Sequence, residues 1–341
     1  MSNHLQKIDR ELANIFALGA DLANQNECWH SRPTTIQWSL AGSPAVLDDL
    51  LPMALTCVVH AVGGRLAPDL MVPLDRLREH GTWLVVESDG EQLERDRFLA
   101  LRDVTQRFVI DLDTHVASTH HALHPHTSLD RVCANLEVIL PLAKADGTQI
   151  LFRVTLTEHN LAELPDHVRF LGDLGGEMIQ VREPLLGSDD RMAMPGADDR
   201  IASVIDRTQA IARERKIDLY LDLRAPFQHV EEHLPRDLSK ASLAVLRERF
   251  QKSVRTQYPG FCHVATNHLN VAADGVVFPC HRAPVELQMG NLRSESFAAV
   301  WNGARYRAFR RRMFGSDYPR ACRSCPVLTG NPGFAALRRS P

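Results

Sequence analysis

The chain contains no apolar run approaching the roughly 18 residues needed to cross a bilayer. It also has no charged-then-apolar opening segment with a small-residue cleavage site. These absences lead us to expect a cytoplasmic protein that does not use the membrane as a partner. No internal repeat and no low-complexity tract appears, which excludes a solenoid and a disordered tail-like protein. Cysteine is sparse and odd in number, 7 in 341 residues, and without a secretory signal this usage argues for reduced thiols and metal ligation instead of a disulfide frame. What is abundant is core material: 44% of residues are hydrophobic, enough for one large α/β body and a small appendage. A net charge of −3 hides an asymmetry, because residues 250–341 carry 13 Lys or Arg against 4 Asp or Glu. The cysteine-bearing tail is therefore the basic part of an otherwise acidic chain.

Residues 1–27 read as an amphipathic helix, with Leu5, Ile8, Leu12, Ile15, Phe16 and Leu22 at helical spacing. From Thr34 onward, short apolar runs at 35–40, 56–61, 82–86, 108–113, 150–155, 178–181 and 218–223 predict strands. Helical patterns near 66–80, 91–104, 128–145, 160–174 and 198–215 separate them. Strict alternation of strand and helix forces parallel strands joined by crossover helices, with function at the strand C-terminal ends. About six such units predict a partial (β/α)6 TIM-like barrel. The segment 184–199, rich in Gly, Pro, Asp and Met, reads as a loop over the rim, and 228–238 as a polar connector.

Four of the cysteines lie in the last quarter. Residues 268–272 and 276–278 predict a hairpin around the turn Ala273-Asp274-Gly275, and Pro279 is followed by Cys280. Cys262 and Cys280 thus flank the hairpin, while Cys322-Arg-Ser-Cys325 places two more sulfurs on a tight turn. Four thiolates complete a site for either zinc or an iron–sulfur cluster. A zinc ribbon more commonly uses two short-spaced pairs, and only one is present, so the spacing leans modestly to iron–sulfur. Cys28, Cys57 and Cys133 are isolated and read as core residues.

The wider run carries more. Cys262, Leu269-Asn270-Val271, Asp274-Gly275-Val276-Val277-Phe278-Pro279-Cys280, Gly290-Asn291-Leu292, Val300-Trp301-Asn302, Tyr306-Arg307, Arg310 and Cys322 to Cys325 together resemble the SPASM/twitch extension of radical S-adenosylmethionine enzymes. The resemblance implies one auxiliary 4Fe-4S cluster on Cys262, Cys280, Cys322 and Cys325, because the further cysteines of the two-cluster version are missing. It also implies a layout of N-terminal helical cap (1–30), radical SAM-like partial barrel (31–235) and a small C-terminal cysteine-rich β-hairpin and helix domain of SPASM/twitch type (236–341).

The family's barrel needs three cysteines in a Cys-x3-Cys-x2-Cys loop after the first strand. Here that place reads Ala41-Gly42-Ser43-Pro44-Ala45-Val46, which offers no soft anionic ligand to iron. The Gly-Gly-Glu that holds the amino group of S-adenosylmethionine is replaced by Gly63-Gly64-Arg65, with the charge inverted. Gly175-Gly176-Glu177 occurs later, but reads as a helix C-terminus and turn. Glu87-Ser88-Asp89-Gly90 resembles the family's Thr-Asn-Gly turn, and the strand ending at Asp113 and the helix opening at Asp130 are similar to its other landmarks.

The expectation is therefore a degenerate radical SAM/SPASM protein: a pseudoenzyme that does not use S-adenosylmethionine and serves as partner or substrate-recognition protein in a biosynthetic or maturation pathway. Its partner would be a protein, a peptide or a small-molecule substrate, with aminosugar or peptide tailoring the chemistry the family suggests. Two alternatives stand beside it. One is an enzyme using the barrel cavity, with Asp111, His60 or Arg65, and the auxiliary cluster for non-radical-SAM or redox tailoring chemistry; the other is a binding module with a structural four-cysteine zinc site. Among further features, His120-His121-x2-His124-x-His126 reads as a solvated loop, since Pro125 breaks a helix and no carboxylate is adjacent. Arg305, Arg307, Arg310, Arg311 and Arg312 read as a solvated face, because no aromatic platform for nucleic acid accompanies them. Asp111 and Asp113 are an acid/base pair to look for at a strand end.

Overall fold

The structure, a computed structural model, describes residues 33, 35–38, 50–52, 54, 56–60, 71–184, 199–223, 262, 268–280, 283–314, 317–323 and 325. The helix expected over 1–27, Cys28, the loop 41–46, the Gly63-Gly64-Arg65 triplet, the connector 228–238 and all but the ends of the loop 184–199 lie outside the described residues. The chain divides into two compact units, one made of Met1–Cys57, Glu79–Thr82 and Glu232–Pro341, the other of Val58–Arg78 and Trp83–Glu231. We call them the cysteine unit and the α/β unit.

In chain order, β1 (Thr35–Trp38), β2 (Thr56–His60) and α1 (Met71–His80) come first. The α/β unit continues with β3 (Trp83–Ser88), α2 (Arg95–Arg102), β4 (Thr105–Asp111), α3 (Ala117–Leu123), α4 (Leu129–Asp146), β5 (Gln149–Thr155), α5 (Leu164–Asp173), β6 (Met178–Arg182), α6 (Asp199–Arg215) and β7 (Asp218–Asp222). Strands β3 to β7 lie side by side in sequence order and are all parallel. Helical crossovers are what parallel neighbours require.

The two faces of this sheet differ sharply. Leu84, Val86, Phe108, Ile110, Phe152, Val154, Ile179 and Val181 are inaccessible on one face. Helices cover it, as the 5.0 Å approach of the Phe98 ring of α2 to Phe108 shows. Burying each such side chain contributes about 1.5–3 kcal/mol. Because side chains alternate along a strand, the register puts a second row on the other face: Asp111 faces Arg153, and Thr155 faces Arg182. That row is mixed, with Val109 opposite Leu151 at its middle and charged and polar side chains toward the strand ends.

Helix ends follow local chemistry. Ser128 caps α4 by accepting from Arg131 N, and Gly147 closes it in the left-handed region at φ 72°. After α5, Gly175 N–H donates to the Gly172 carbonyl and Gly176 N–H to the Leu171 carbonyl. This is the helix-ending turn that the Gly175-Gly176-Glu177 triplet predicts.

The cysteine unit completes its elements with β8 (His268–Val271), β9 (Val276–Phe278), β10 (Gly290–Asn291), α7 (Phe297–Trp301), α8 (Ala304–Phe314) and α9 (Arg320–Arg323). β8 and β9 form the expected antiparallel hairpin, and β10 adds to β9. β8 also pairs in parallel with β1, Thr35 opposite His268 through Trp38 opposite Val271. A segment from the start of the chain thus completes the sheet that presents the cysteines. No helix of the described residues is long and apolar enough to cross a membrane.

Candidate functional site

In the cysteine unit, Gly275 makes the hairpin turn at φ 86°, a conformation L side chains rarely adopt. The returning strand β9 leads through Pro279 to Cys280. The hairpin rests on an aromatic stack: the Arg310 guanidinium lies 4.1 Å from the Trp301 ring centre and 4.3 Å from that of Tyr306. Arg310 Nη1 donates to the Trp301 carbonyl at 2.7 Å, and the Tyr306 hydroxyl to the His268 carbonyl at 3.3 Å. Arg310 is fully buried, which corrects the expectation that all five arginines of this helix form a solvated face. Tyr306, four residues earlier on the same helix face, receives its guanidinium. Burial draws the Arg310 pKa down to about 10. Arg305 and Arg311 are exposed as expected, and Arg312 pairs with Asp317 at 3.1 Å.

Opposite the hairpin, Cys322 N–H donates to the Pro319 carbonyl and Cys325 N–H to the Cys322 carbonyl, which makes the tight turn that the Cys-x2-Cys spacing predicts. Cys262, Cys280, Cys322 and Cys325 are half-buried and none is in a disulfide. Burial pushes the Cys322 thiol up to about 12, and the neighbouring Cys280 and Cys325 add to the rise. Those three thiols therefore lie within electrostatic reach of one another. Burial raises the Tyr318 phenol, with Cys262 contributing, so Cys262 neighbours Tyr318 in the same unit. Among the described residues no three His, Cys, Asp or Glu side chains are arranged to hold a single metal ion. Cys57 is buried in the core as expected, its thiol pushed up to about 12 by burial, and Cys133 sits half-buried on α4.

In the α/β unit the polar sheet face culminates at the strand C-terminal ends. Arg153 Nε donates to Asp111 Oδ1 at 2.6 Å and Nη2 to Oδ2 at 2.7 Å, while Nη1 meets Glu87 Oε1 at 2.8 Å. Burial disfavours the Arg153 charge, but Asp111 and then Glu87 outweigh it and raise its pKa. Asp113, two residues on, is engaged elsewhere: Oδ1 accepts from Thr155 N at 2.6 Å, and Oδ2 meets His124 Nε2 at 2.8 Å. Asp111 and Asp113 are thus brought to one strand end but not to each other's service as an acid/base pair. One clamps an arginine and the other anchors a loop.

The histidine run also differs from expectation. Residues Ala117–Leu123 form a helix that closes at His124, so Pro125 follows the helix instead of preventing it. The carboxylate is present, and it is Asp113. Burial depresses His124, but the hydrogen bond and charge of Asp113 win and raise its pKa. His120 is buried with Nε2 on Thr127 Oγ1 at 2.9 Å. His167, a core residue that no sequence pattern marks, meets the Leu112 carbonyl at 2.7 Å and stacks on His115. Burial holds its pKa down at about 4. The His60 side chain and Arg65 lie outside the described residues.

No curated protein sequence matches the chain. Residues 262–326 match the SPASM model of an iron-sulfur cluster-binding domain. Among solved structures, the fold resembles Streptococcus suis SuiB bound to precursor peptide SuiA, at a TM-score of 0.59 and 12% identity over 85% of this chain and 69% of that one. SuiB bound to S-adenosylmethionine matches with a TM-score of 0.58 and 13% identity over 87% and 72%. Native anSMEcpe with bound AdoMet and Cp18Cys peptide matches with 0.53 and 11% over 88% of each chain. The parallel sheet with its crossover helices is thus the TIM-like partial barrel that the strand–helix alternation predicts, and the chain has the fold of the radical SAM SPASM-type proteins, with its SPASM domain at residues 262–326.

Proposed function

We propose that this chain is a degenerate radical SAM/SPASM protein that binds one auxiliary 4Fe-4S cluster and recognises a peptide or partner protein without cleaving S-adenosylmethionine. One observation carries the reading: a four-cysteine frame inside the SPASM domain stands in the same chain as Ala41 to Val46, a segment with no cysteine where the SAM-cleaving cluster would be held. Gly63-Gly64-Arg65 supports it, since a guanidinium in place of a glutamate repels the ammonium of S-adenosylmethionine.

The donor set suits the cluster. Cys262, Cys280, Cys322 and Cys325 would hold it as four thiolates. Burial and like-charge neighbours oppose ionising Cys322, and cationic iron removes both obstacles. When bound, the cluster would supply an electron-transfer centre, since four thiolates leave none of its irons open. The protein's own part is to fix the hairpin through the Trp301–Arg310–Tyr306 stack and the turn at Cys322. Peptide recognition is supported by the solved relatives, since SuiB is seen with precursor peptide SuiA and anSMEcpe with the Cp18Cys peptide.

Two assays test this. The reconstituted protein incubated with S-adenosylmethionine and dithionite is expected to form no 5′-deoxyadenosine; stoichiometric or catalytic formation would sink the degenerate reading. Cys280→Ala and Cys322→Ala are each expected to lose iron, while Cys57→Ala and Cys28→Ala keep it. Equal loss from all four would show the ligand assignment to be wrong.

A further inference from the structure

Three guanidinium groups occupy the polar face of the β3 to β7 sheet, and they are not equivalent. Arg153 is saturated by Glu87 and Asp111. Arg107 donates both Nε and Nη2 to Gln149 Oε1, at 3.2 and 2.9 Å. Arg182, the last residue of β6, makes one long hydrogen bond, Nε to Thr155 Oγ1 at 3.4 Å, and no ion pair among the described residues. A guanidinium carries five N–H donors in a fixed fork. Arg182 is half-buried, and the N–H groups it does not spend on Thr155 are left to solvent, open to a ligand. Burial, then the nearby Arg153, draws its pKa down, and Asp111, Glu87 and Asp113 offset only part of that.

Its position is the one where α/β sheets bind ligands, the C-terminal edge of the strands. An oxyanion accepting two of the free N–H groups would complete the fork. Asp111, Glu87 and Asp113 all exert their charge on Arg182 from a distance. Three carboxylates against the guanidiniums of Arg153 and Arg182 leave the surroundings net negative, which disfavours a phosphate dianion more than a carboxylate.

We propose that Arg182, steadied by Thr155, forms a carboxylate-binding site at the C-terminal edge of the β3 to β7 sheet. The carboxylate comes either from a free small acid or from an acidic residue of a peptide. The site deepens the recognition reading above and rests on it. Iron content reads the cluster and titration reads the sheet face, so each can fail alone.

The test is calorimetric titration of the full chain, at constant ionic strength, with sodium glutarate and separately with a Glu/Asp-containing pentapeptide and its Gln/Asn counterpart. Saturable binding of one carboxylate probe is expected, with the neutral peptide inert. Arg182→Met weakens that binding at least tenfold, Arg182→Lys less so, and Arg182→Met melts well above Arg153→Met because it removes one long hydrogen bond and no ion pair. Glutarate binding without peptide binding assigns a small acid; the reverse assigns a peptide. Binding of neither probe, tighter binding of inorganic phosphate than of both, or a melting loss in Arg182→Met as large as in Arg153→Met would overturn the site.

Discussion

Arg153→Met removes the centre of a buried ion-pair set on the β3 to β5 strands. Its guanidinium is only 9% exposed and touches two carboxylates at 2.6 to 2.8 Å, with Glu87 13% and Asp111 30% exposed. Methionine fills much of the same volume, so packing loss is small and the dominant effect is two carboxylates left facing each other without a counter-charge. Removing one partner of a buried pair costs about 3–5 kcal/mol. The partial exposure of Asp111 lets water share its charge, which places the expected loss near the lower limit, at about 3 kcal/mol. For a unit of this size that lowers the melting temperature by about 6–12 °C. Thermal unfolding gives the size of the loss, and amide hydrogen exchange gives its place: protection should fall first in β3, β4 and β5, which carry the three residues. The triple variant Glu87→Gln, Asp111→Asn, Arg153→Met removes every charge of the set and should recover most of the stability. A loss below about 1 kcal/mol in the single variant, or a triple variant worse than the single, would refute the clamp.

Arg310→Met should cost the cysteine unit about 2–4 kcal/mol, since it removes two desolvated cation–π contacts and the donor to the Trp301 carbonyl, and tryptophan fluorescence during urea unfolding reads it. Two histidines, His124 half-buried and His167 buried, should bend the pH profile in opposite senses. His124 has its pKa raised in the fold, so its stabilisation is complete below the ordinary value near 6.5 and is lost as pH rises through the raised one; His124→Gln should remove that loss. His167 is depressed to about 4, so the unfolded chain takes up a proton that the folded chain refuses. Stability should then fall by about 3 kcal/mol as pH drops from about 6.5 to 4, and His167→Asn, which keeps a donor for the Leu112 carbonyl, should flatten that limb. Gly275→Ala places a Cβ at 2.7 Å from Asn291 Oδ1 and Arg293 Cγ at φ 86°, so the hairpin should distort and iron content fall. Gly147→Ala, equally left-handed but with open space around it, should lose stability alone.

Much of the α/β unit was legible because its strands are short runs of β-branched and apolar residues bounded by turns. The run Phe108-Val109-Ile110-Asp111 is a strand in any context that buries its alternate residues, and β4 differs from the reading by starting at Thr105 and ending at Asp111 instead of 113. Asp274-Gly275 announced the hairpin just as clearly. Three things were hidden. The Glu87–Arg153–Asp111 clamp joins residues 42 and 66 apart in sequence, and only the parallel register places them together. The helix Ala117–Leu123 was obscured by a proline that follows its closing residue, His124. The burial of Arg310 was masked by four neighbouring arginines, although Tyr306 at helical spacing carried the signal. The pairing of β1 with β8 spans most of the chain, and no local pattern encodes it.

The central claim is the kind of site that Cys262, Cys280, Cys322 and Cys325 build. Anaerobic purification with iron, sulfide and zinc quantification, beside an electron paramagnetic resonance spectrum of the dithionite-reduced protein, tests it most directly. About four irons and four sulfides per chain, with the signal of a reduced cluster, is the result expected. One zinc and no sulfide would contradict it and leave a structural tetrathiolate site on a partial barrel.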